Sequence, residues 1–153
     1  MKERKYIYDG PPFASVSVAP ITYEDDFFDL EIRLESELFF ALRQQNDIKP
    51  YRLTESSETE LDKIRTFFQV HRSTFFFLFD EHELIGSILL LRNYIQSLVV
   101  ARPYQRQHYG TELTKFAVNR ALNHGWNTVA LKVLEGNTEA QRLYEKVGFR
   151  EEE

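Results

Sequence analysis

The chain has 153 residues, 42% of them hydrophobic, with 19 Lys and Arg against 24 Asp and Glu for a net charge of −5. This suits one domain with an ordinary core, expected to span 1–153. The absence of Cys excludes disulfides, thiolate nucleophiles and Cys-based zinc sites, and the acidic balance gives no basic footprint for nucleic acid. The start, Met1-Lys2-Glu3-Arg4-Lys5, lacks the apolar run of a signal peptide, and no segment nears the ~20 apolar residues of a membrane helix. A cytoplasmic protein without membrane contact is expected.

Residues 1–12 read as an N-terminal extension or edge strand, with Lys5-Tyr6-Ile7-Tyr8 strand-like and Gly10-Pro11-Pro12 as a break. Alternation through Val16 and Val18 predicts a strand over 14–19. Thr22 is the expected cap of a helix over 24–45, whose apolar stripe is Phe27, Leu30, Leu34, Leu38 and Leu42. Leu61, Ile64, Phe67 and Phe68 support a second helix near 58–70. Strands follow at 73–79, 84–91 and 94–100, the first two joined as a hairpin. A loop over 103–110 leads to a helix over 111–124, with Gly125 as its C-terminal cap. Strand 128–134 and a last helix from Asn137 or Thr138 to Gly148 complete the order βααβββαβα, an α/β (α+β) fold with a mixed sheet.

Two segments carry chemistry. An apolar strand, Leu98-Val99-Val100, runs into Gln105-Arg106-Gln107-His108-Tyr109-Gly110-Thr111 and then a helix. A helix N-terminus presents unpaired N–H groups and the positive end of the dipole, an anion site. The second segment is Asn137-Thr138-Glu139-Ala140-Gln141-Arg142-Leu143-Tyr144-Glu145-Lys146-Val147-Gly148-Phe149. It resembles the N-x-x-A-x-x-L-Y-x-x-x-G-F signature of the GNAT N-acetyltransferases. The loop is similar to that family's [RQ]-x-x-G-x-[GA] pyrophosphate loop through Gln105 and Gly110, and the two motifs stand in the family's order. The resemblance spans about 20–149 and is specific over 97–149.

The resemblance implies a GNAT-like acyl-CoA N-acyltransferase fold and direct transfer of acetyl from acetyl-CoA to an amine of a small molecule or peptide, in a ternary complex. Strands 94–100 and 128–134 would part to admit the pantetheine arm. Leu98, Val99 and Val100 would bind it, the backbone of Leu98 and Val100 pairing with it like an added strand. Residues Gln105, Arg106, Gln107, His108, Tyr109, Gly110 and Thr111 would hold the pyrophosphate. Arg102 and Arg106 would contact phosphate or stay solvated. Asn137 would orient the co-substrate or cap the last helix. Tyr144 would be the general acid for the departing thiolate, since a phenol with a pKa near ~10 can give a proton as charge develops; on periodicity alone it is a core aromatic. Glu24, Glu135 and His71 are the candidates for the base. No His and carboxylate spacing fits a metal site, so none is expected. The acceptor pocket would lie at helices 24–45 and 58–70 and the hairpin; Tyr23, Phe27 and Phe28 would line it or belong to the core.

Three features depart from the family pattern. His108 stands where the loop normally has its first glycine. No carboxylate lies on strand 94–100, where many members keep a base; Tyr94, Gln96 and Ser97 occupy it. The sequence stops at Glu153, where the family usually adds two strands. The sheet is therefore expected to be short at that end, with strand 5–8 filling the gap from within the chain or from a second subunit of a homodimer. The first two departures also leave open the alternative of a non-catalytic acyl-CoA-binding or interaction module of the same fold.

Overall fold

The computed structural model describes residues 2–153. Eleven regular elements follow along the chain: β1 (Glu3–Tyr8), β2 (Ile21–Thr22), α1 (Phe28–Gln45), α2 (Glu58–Val70), β3 (Phe75–Asp80), β4 (Glu83–Leu91), β5 (Tyr94–Val100), α3 (Tyr109–Asn123), β6 (Val129–Leu134), α4 (Thr138–Val147) and β7 (Arg150–Glu151). They form a mixed seven-stranded sheet in the order β2-β3-β4-β5-β6-β1-β7. Only β5 and β6 run parallel; every other neighbouring pair is antiparallel. Among the described residues, no helix is long and apolar enough to cross a membrane.

Each face of the sheet buries its own core. One face carries Phe76, Ile88, Leu90, Ile95, Val129, Leu131 and Val133 against Leu113, Ala117, Val118 and Ala121 of α3 and Tyr144 and Val147 of α4. The other carries Phe75, Phe77 and Leu89 against Tyr23, Phe28, Ile32 and Phe68. The run Phe75-Phe76-Phe77 supplies both cores, because successive strand residues point to opposite faces. Tyr23, Phe27 and Phe28 are absorbed here: Tyr23 stacks on Phe75, Phe27 packs on Phe77 and Phe79, and Phe28 packs on Phe68.

Three expectations need correcting. Residues 14–19 form no strand. The segment lies along α3, and its backbone is satisfied by side chains instead of a ladder. Asn119 accepts from the Phe13 N–H at 2.7 Å and donates to the Phe13 carbonyl at 2.9 Å, and Glu112 accepts from the Ser17 N–H at 2.6 Å. Thr22 is not a cap, since it pairs with Phe76 in β2. A short 3-10 turn at Asp25–Phe27 then precedes α1, which starts at Phe28. The third helix starts at Tyr109, two residues earlier than the pattern implied, so Tyr109 and Gly110 belong to its first turn.

Strand 5–8 does fill the gap, from within the chain. β1 pairs with β6 over six residues, from Glu3 with Leu134 to Tyr8 with Val129, and β7 pairs outside it at Tyr6 and Ile7. Tyr6 and Tyr8 are buried in the α3-side core. Replacing Tyr6 by Ala should lower unfolding free energy by about 3–5 kcal/mol, the usual cost of deleting a large buried ring, in urea titrations followed by circular dichroism.

Candidate active site

The site begins where two strands stop pairing. β5 and β6 are matched only at Tyr94 with Ala130 and Ile95 with Leu131. Beyond Ile95 the far edge of β5 has no partner strand. Its near edge stays on β4, from Ser97 opposite Leu89 to Val100 opposite Gly86. A bulge leaves Gln96 with no opposite number and bends the strand away from β6. Gly86 permits the close approach of β4 and β5, because a Cβ there would collide with the Val99 carbonyl.

The direction of the free edge follows from alternation. The Ala101 N–H donates to the Ile85 carbonyl at 2.8 Å, so Ala101 and Val99 turn their backbone groups toward β4. Those of Leu98 and Val100 turn toward the split. Gln105 Nε2 donates to the Val100 carbonyl at 2.9 Å. Leu98 N–H and C=O and the Val100 N–H are left for a ligand.

A cleft of about 680 Å³ occupies the split. Leu98, Val99 and Val100 form its floor, and the turn at Tyr104, Gln105, Arg106 and His108 leads to its wall at Tyr109, Gly110 and Thr111. Asn137, Ala140, Leu143 and Tyr144 form the opposite wall, and Leu38 and Phe39 of α1 close the far side. Its lining thus comes from elements on both faces of the sheet. Within the loop 105–111, Gln107 alone is not a wall; its side-chain amide turns back to the Pro103 carbonyl at 2.9 Å.

The first turn of α3 opens onto the cleft. No side chain caps it, and among the described residues nothing accepts from the N–H groups of Tyr109, Gly110 or Thr111. His108 adopts a left-handed backbone, φ 71°, as does Arg106, φ 62°. His108 thus takes the conformation for which glycine is favoured at this position, and its side chain is exposed. Gly110 is buried, and a Cβ on it would lie 2.9 Å from Leu143 Cδ1. Arg106, Arg142 and Lys146 add positive charge along the walls. Arg102 instead pairs with Glu37 at 3.7 Å and is not a wall residue.

On α4, Asn137 caps the helix: its Oδ1 accepts from the Ala140 N–H at 3.2 Å. Its Nδ2 has no protein partner among the described residues, and Asn137 lines the cleft. Tyr144 is almost wholly buried and packs edge-on against Phe149. Burial pushes its phenol well above the usual range, so it stays protonated through the neutral range. It makes no hydrogen bond to the protein among the described residues, and Tyr144 is a wall of the cleft.

The candidate bases read from sequence lie elsewhere. Glu135 pairs with Arg4 at 3.1 Å on the surface, Glu24 is exposed ahead of the first helical turn, and His71 packs on Phe67. A different carboxylate was missed. Glu31 of α1 is fully buried, with Oε1 accepting from Ser87 Oγ of β4 at 2.8 Å. Burial first, and then hydrogen bonding to Glu35, push its carboxyl well above the carboxylate range, against the Ser87 bond. Only its place on the inner face of α1, one turn from Phe27 and Phe28, marked it in the sequence.

Comparison with known proteins gives the family. The model of the Acetyltransferase (GNAT) family matches residues 38–149. The chain belongs to the GNAT acetyltransferase family. Among solved structures, an N-acetyltransferase of this family from Sphaerobacter thermophilus is 19% identical with a TM-score of 0.70, over 98% of this chain and 48% of that one. A GNAT acetyltransferase from Colwellia psychrerythraea is 12% identical with a TM-score of 0.73, over 97% and 52%. One from Staphylococcus aureus Mu50 is 17% identical with a TM-score of 0.63, over 88% and 85%. The chain thus spans about half the length of the first two. Among curated proteins none matches significantly by sequence.

The state of Glu31 makes a prediction for this GNAT domain. Its folded pKa lies above its unfolded value, near ~4.3, so its contribution to stability is complete below that value and is lost as pH rises toward the folded pKa. Glu31→Gln keeps the acceptor for Ser87 and a donor toward Glu35 without a titrating proton. Urea midpoints taken from pH 5 to 8 should fall in the wild type and fall less in the variant, which should be the more stable at pH 8.

Proposed function

We propose that this GNAT domain transfers an acetyl group from acetyl-CoA to a primary amine of a small molecule or peptide. The observation that carries the reading is the coincidence, in one cleft, of the free edge of β5, the uncapped first turn of α3 and the unpartnered hydroxyl of Tyr144.

The residues present fit the co-substrate. The amides of Leu98 and Val100 are the strand edge on which a pantetheine arm pairs. The amides of Tyr109, Gly110 and Thr111, the dipole of α3 and the charges of Arg106, Arg142 and Lys146 hold the pyrophosphate. Gly110 keeps that turn close to Leu98 and Val100 and leaves the approach open. Asn137 Nδ2 remains a donor at the mouth. Acetyl-CoA, when bound, supplies an acetyl group on a thiol leaving group. Tyr144 holds the proton that the leaving sulfur needs, and Leu98, Leu143 and Phe39 exclude bulk water. His108 supports the alternative of a binding module only if its ring blocks the turn, and its side chain is solvent-exposed.

Acetyl-CoA at about 100-fold over its Kd should stabilise the fold by ~2.7 kcal/mol, read as a rise in melting midpoint. Gly110→Glu should abolish that rise, since it sets bulk and negative charge against phosphate. An unchanged wild-type midpoint at millimolar acetyl-CoA counts against the reading.

Tyr144→Phe keeps the ring but removes the proton donor. The turnover rate, followed by thiol release with an accepted amine, should fall by ~100- to 10,000-fold, with little change in the acetyl-CoA melting rise. Near-normal turnover in this variant would remove Tyr144 from the mechanism.

A further inference from the structure

The turn between β5 and α3 is held in an unfavoured shape. Arg106 and His108 both take the left-handed backbone, φ 62° and 71°, without being glycine. Such residues persist only where their surroundings fix them. The side-chain amides of Gln105 and Gln107 bond to the carbonyls of Val100 and Pro103, at the end of β5 and within the turn itself. Arg102 reaches α1 through Glu37, an exposed pair at 3.7 Å, of a kind that contributes little.

A firmer tie to the rest of the sheet is Tyr104, which closes the short 3-10 turn Arg102–Tyr104 after β5. Its hydroxyl donates at 2.6 Å to Oε2 of Glu83, the first residue of β4, and stands 3.3 Å from Oδ2 of Asp80, the last residue of β3. Its ring lies edge-on to that of Tyr109, with centroids 6.0 Å apart. Tyr109 is the first residue of α3 and carries one of the three amides without a protein acceptor. Tyr104 thus joins the end of the β3–β4 hairpin to the start of α3.

The two acids have little else to do. A phenol has one proton to give, yet two carboxylates meet it. Among the described residues the side chains of Asp80 and Glu83 make no other hydrogen bond and no ion pair. Tyr104 lines the cleft, and neither acid does. Negative charge near an anion's path opposes the ligand, so by charge alone the removal of these acids tightens binding. What they supply is a charge-assisted acceptor for the Tyr104 hydroxyl.

We propose that Tyr104 is a positioning residue for the co-substrate: anchored by Glu83 and Asp80, its ring holds Tyr109 and so sets the direction of the α3 amides that take the pyrophosphate. The inference rests on the acetyltransferase reading. Glu83 and Asp80 do not touch the ligand; they act through the phenol. A turn already ordered in the free protein leaves less ordering to be done when the ligand arrives.

Calorimetric titration of the 153-residue protein with CoA tests the inference, because charge and anchoring predict opposite signs. Asp80→Asn with Glu83→Gln removes both charges and keeps an acceptor at each position. Asp80→Ala with Glu83→Ala removes the same charges and the acceptors too. The amide pair should bind CoA at least as tightly as the wild type, and the alanine pair about 3- to 10-fold more weakly, the range set by one net hydrogen bond. Tyr104→Phe should weaken CoA by a similar factor, and in that background the two hairpin pairs should become equal. Equal Kd for the two pairs beside the native Tyr104 overturns the proposal, and if Tyr104→Phe still weakens CoA, its hydroxyl touches the ligand directly. Wild-type affinity in Tyr104→Phe overturns it as well. Melting midpoints without ligand report folding; should the double alanine variant not fold, Glu83→Ala against Glu83→Gln is read the same way. A wild type that binds no CoA overturns the acetyltransferase reading and this inference together, whereas CoA binding with equal hairpin pairs overturns the inference alone.

Discussion

Everything functional here depends on one interrupted hydrogen-bond ladder. β5 and β6 are neighbours in a continuous sheet, yet they pair over only two residues before the bulge at Gln96 turns β5 aside. Unpaired strand edges buried in a core are costly. This edge is tolerated because it lines a cleft open to solvent, where water or a ligand can satisfy it. The same divergence makes room for the first turn of α3 to meet Leu143 of α4 across Gly110. It also lets α1, from the opposite face, contribute Leu38 and Phe39 to the same space.

A split sheet needs anchoring on the β6 side, or the gap would simply widen. β6 has only two paired residues toward β5 but six toward β1. β1 is therefore its main support, and Tyr6 and Tyr8 bind that support to the α3-side core. Tyr8 also packs on Phe149, and Phe149 in turn on Tyr144. The chain of aromatic contacts runs from the N-terminal strand to the proposed acid, so sheet completion and placement of the Tyr144 ring share one packing solution. α4 is fixed at both ends as well, by Asn137 at its start and by Gly148, φ 117°, at its close.

Local patterns made most of this fold legible in the sequence. The helical stripes of α1, α2, α3 and α4 and the alternation of β6 are periodic enough to place within a few residues. The failures have a common cause in tertiary competition. Val16 and Val18 alternate as in a strand, but α3 offers that segment Asn119 and Glu112 in place of a sheet edge. Thr22 has the chemistry of a cap, but pairing with Phe76 uses its backbone. For the site, the motif residues converge on one cleft because they lie on a strand end, a turn and a helix that are near in sequence. Leu38 and Phe39 come from α1, far away along the chain. Nothing local distinguishes a helix position that faces a cavity from one that faces a core.

That difference of origin also divides the chemistry. α4 presents a phenol held neutral by burial, with its hydroxyl unpartnered. Across the sheet, α1 presents Glu31, whose carboxyl burial also raises. Desolvation acts in the same direction on both, raising the phenol and the Glu31 carboxyl alike. What differs is the surroundings: the Tyr144 ring lines the cleft, and Glu31 lies behind the sheet with its Oε1 held by Ser87.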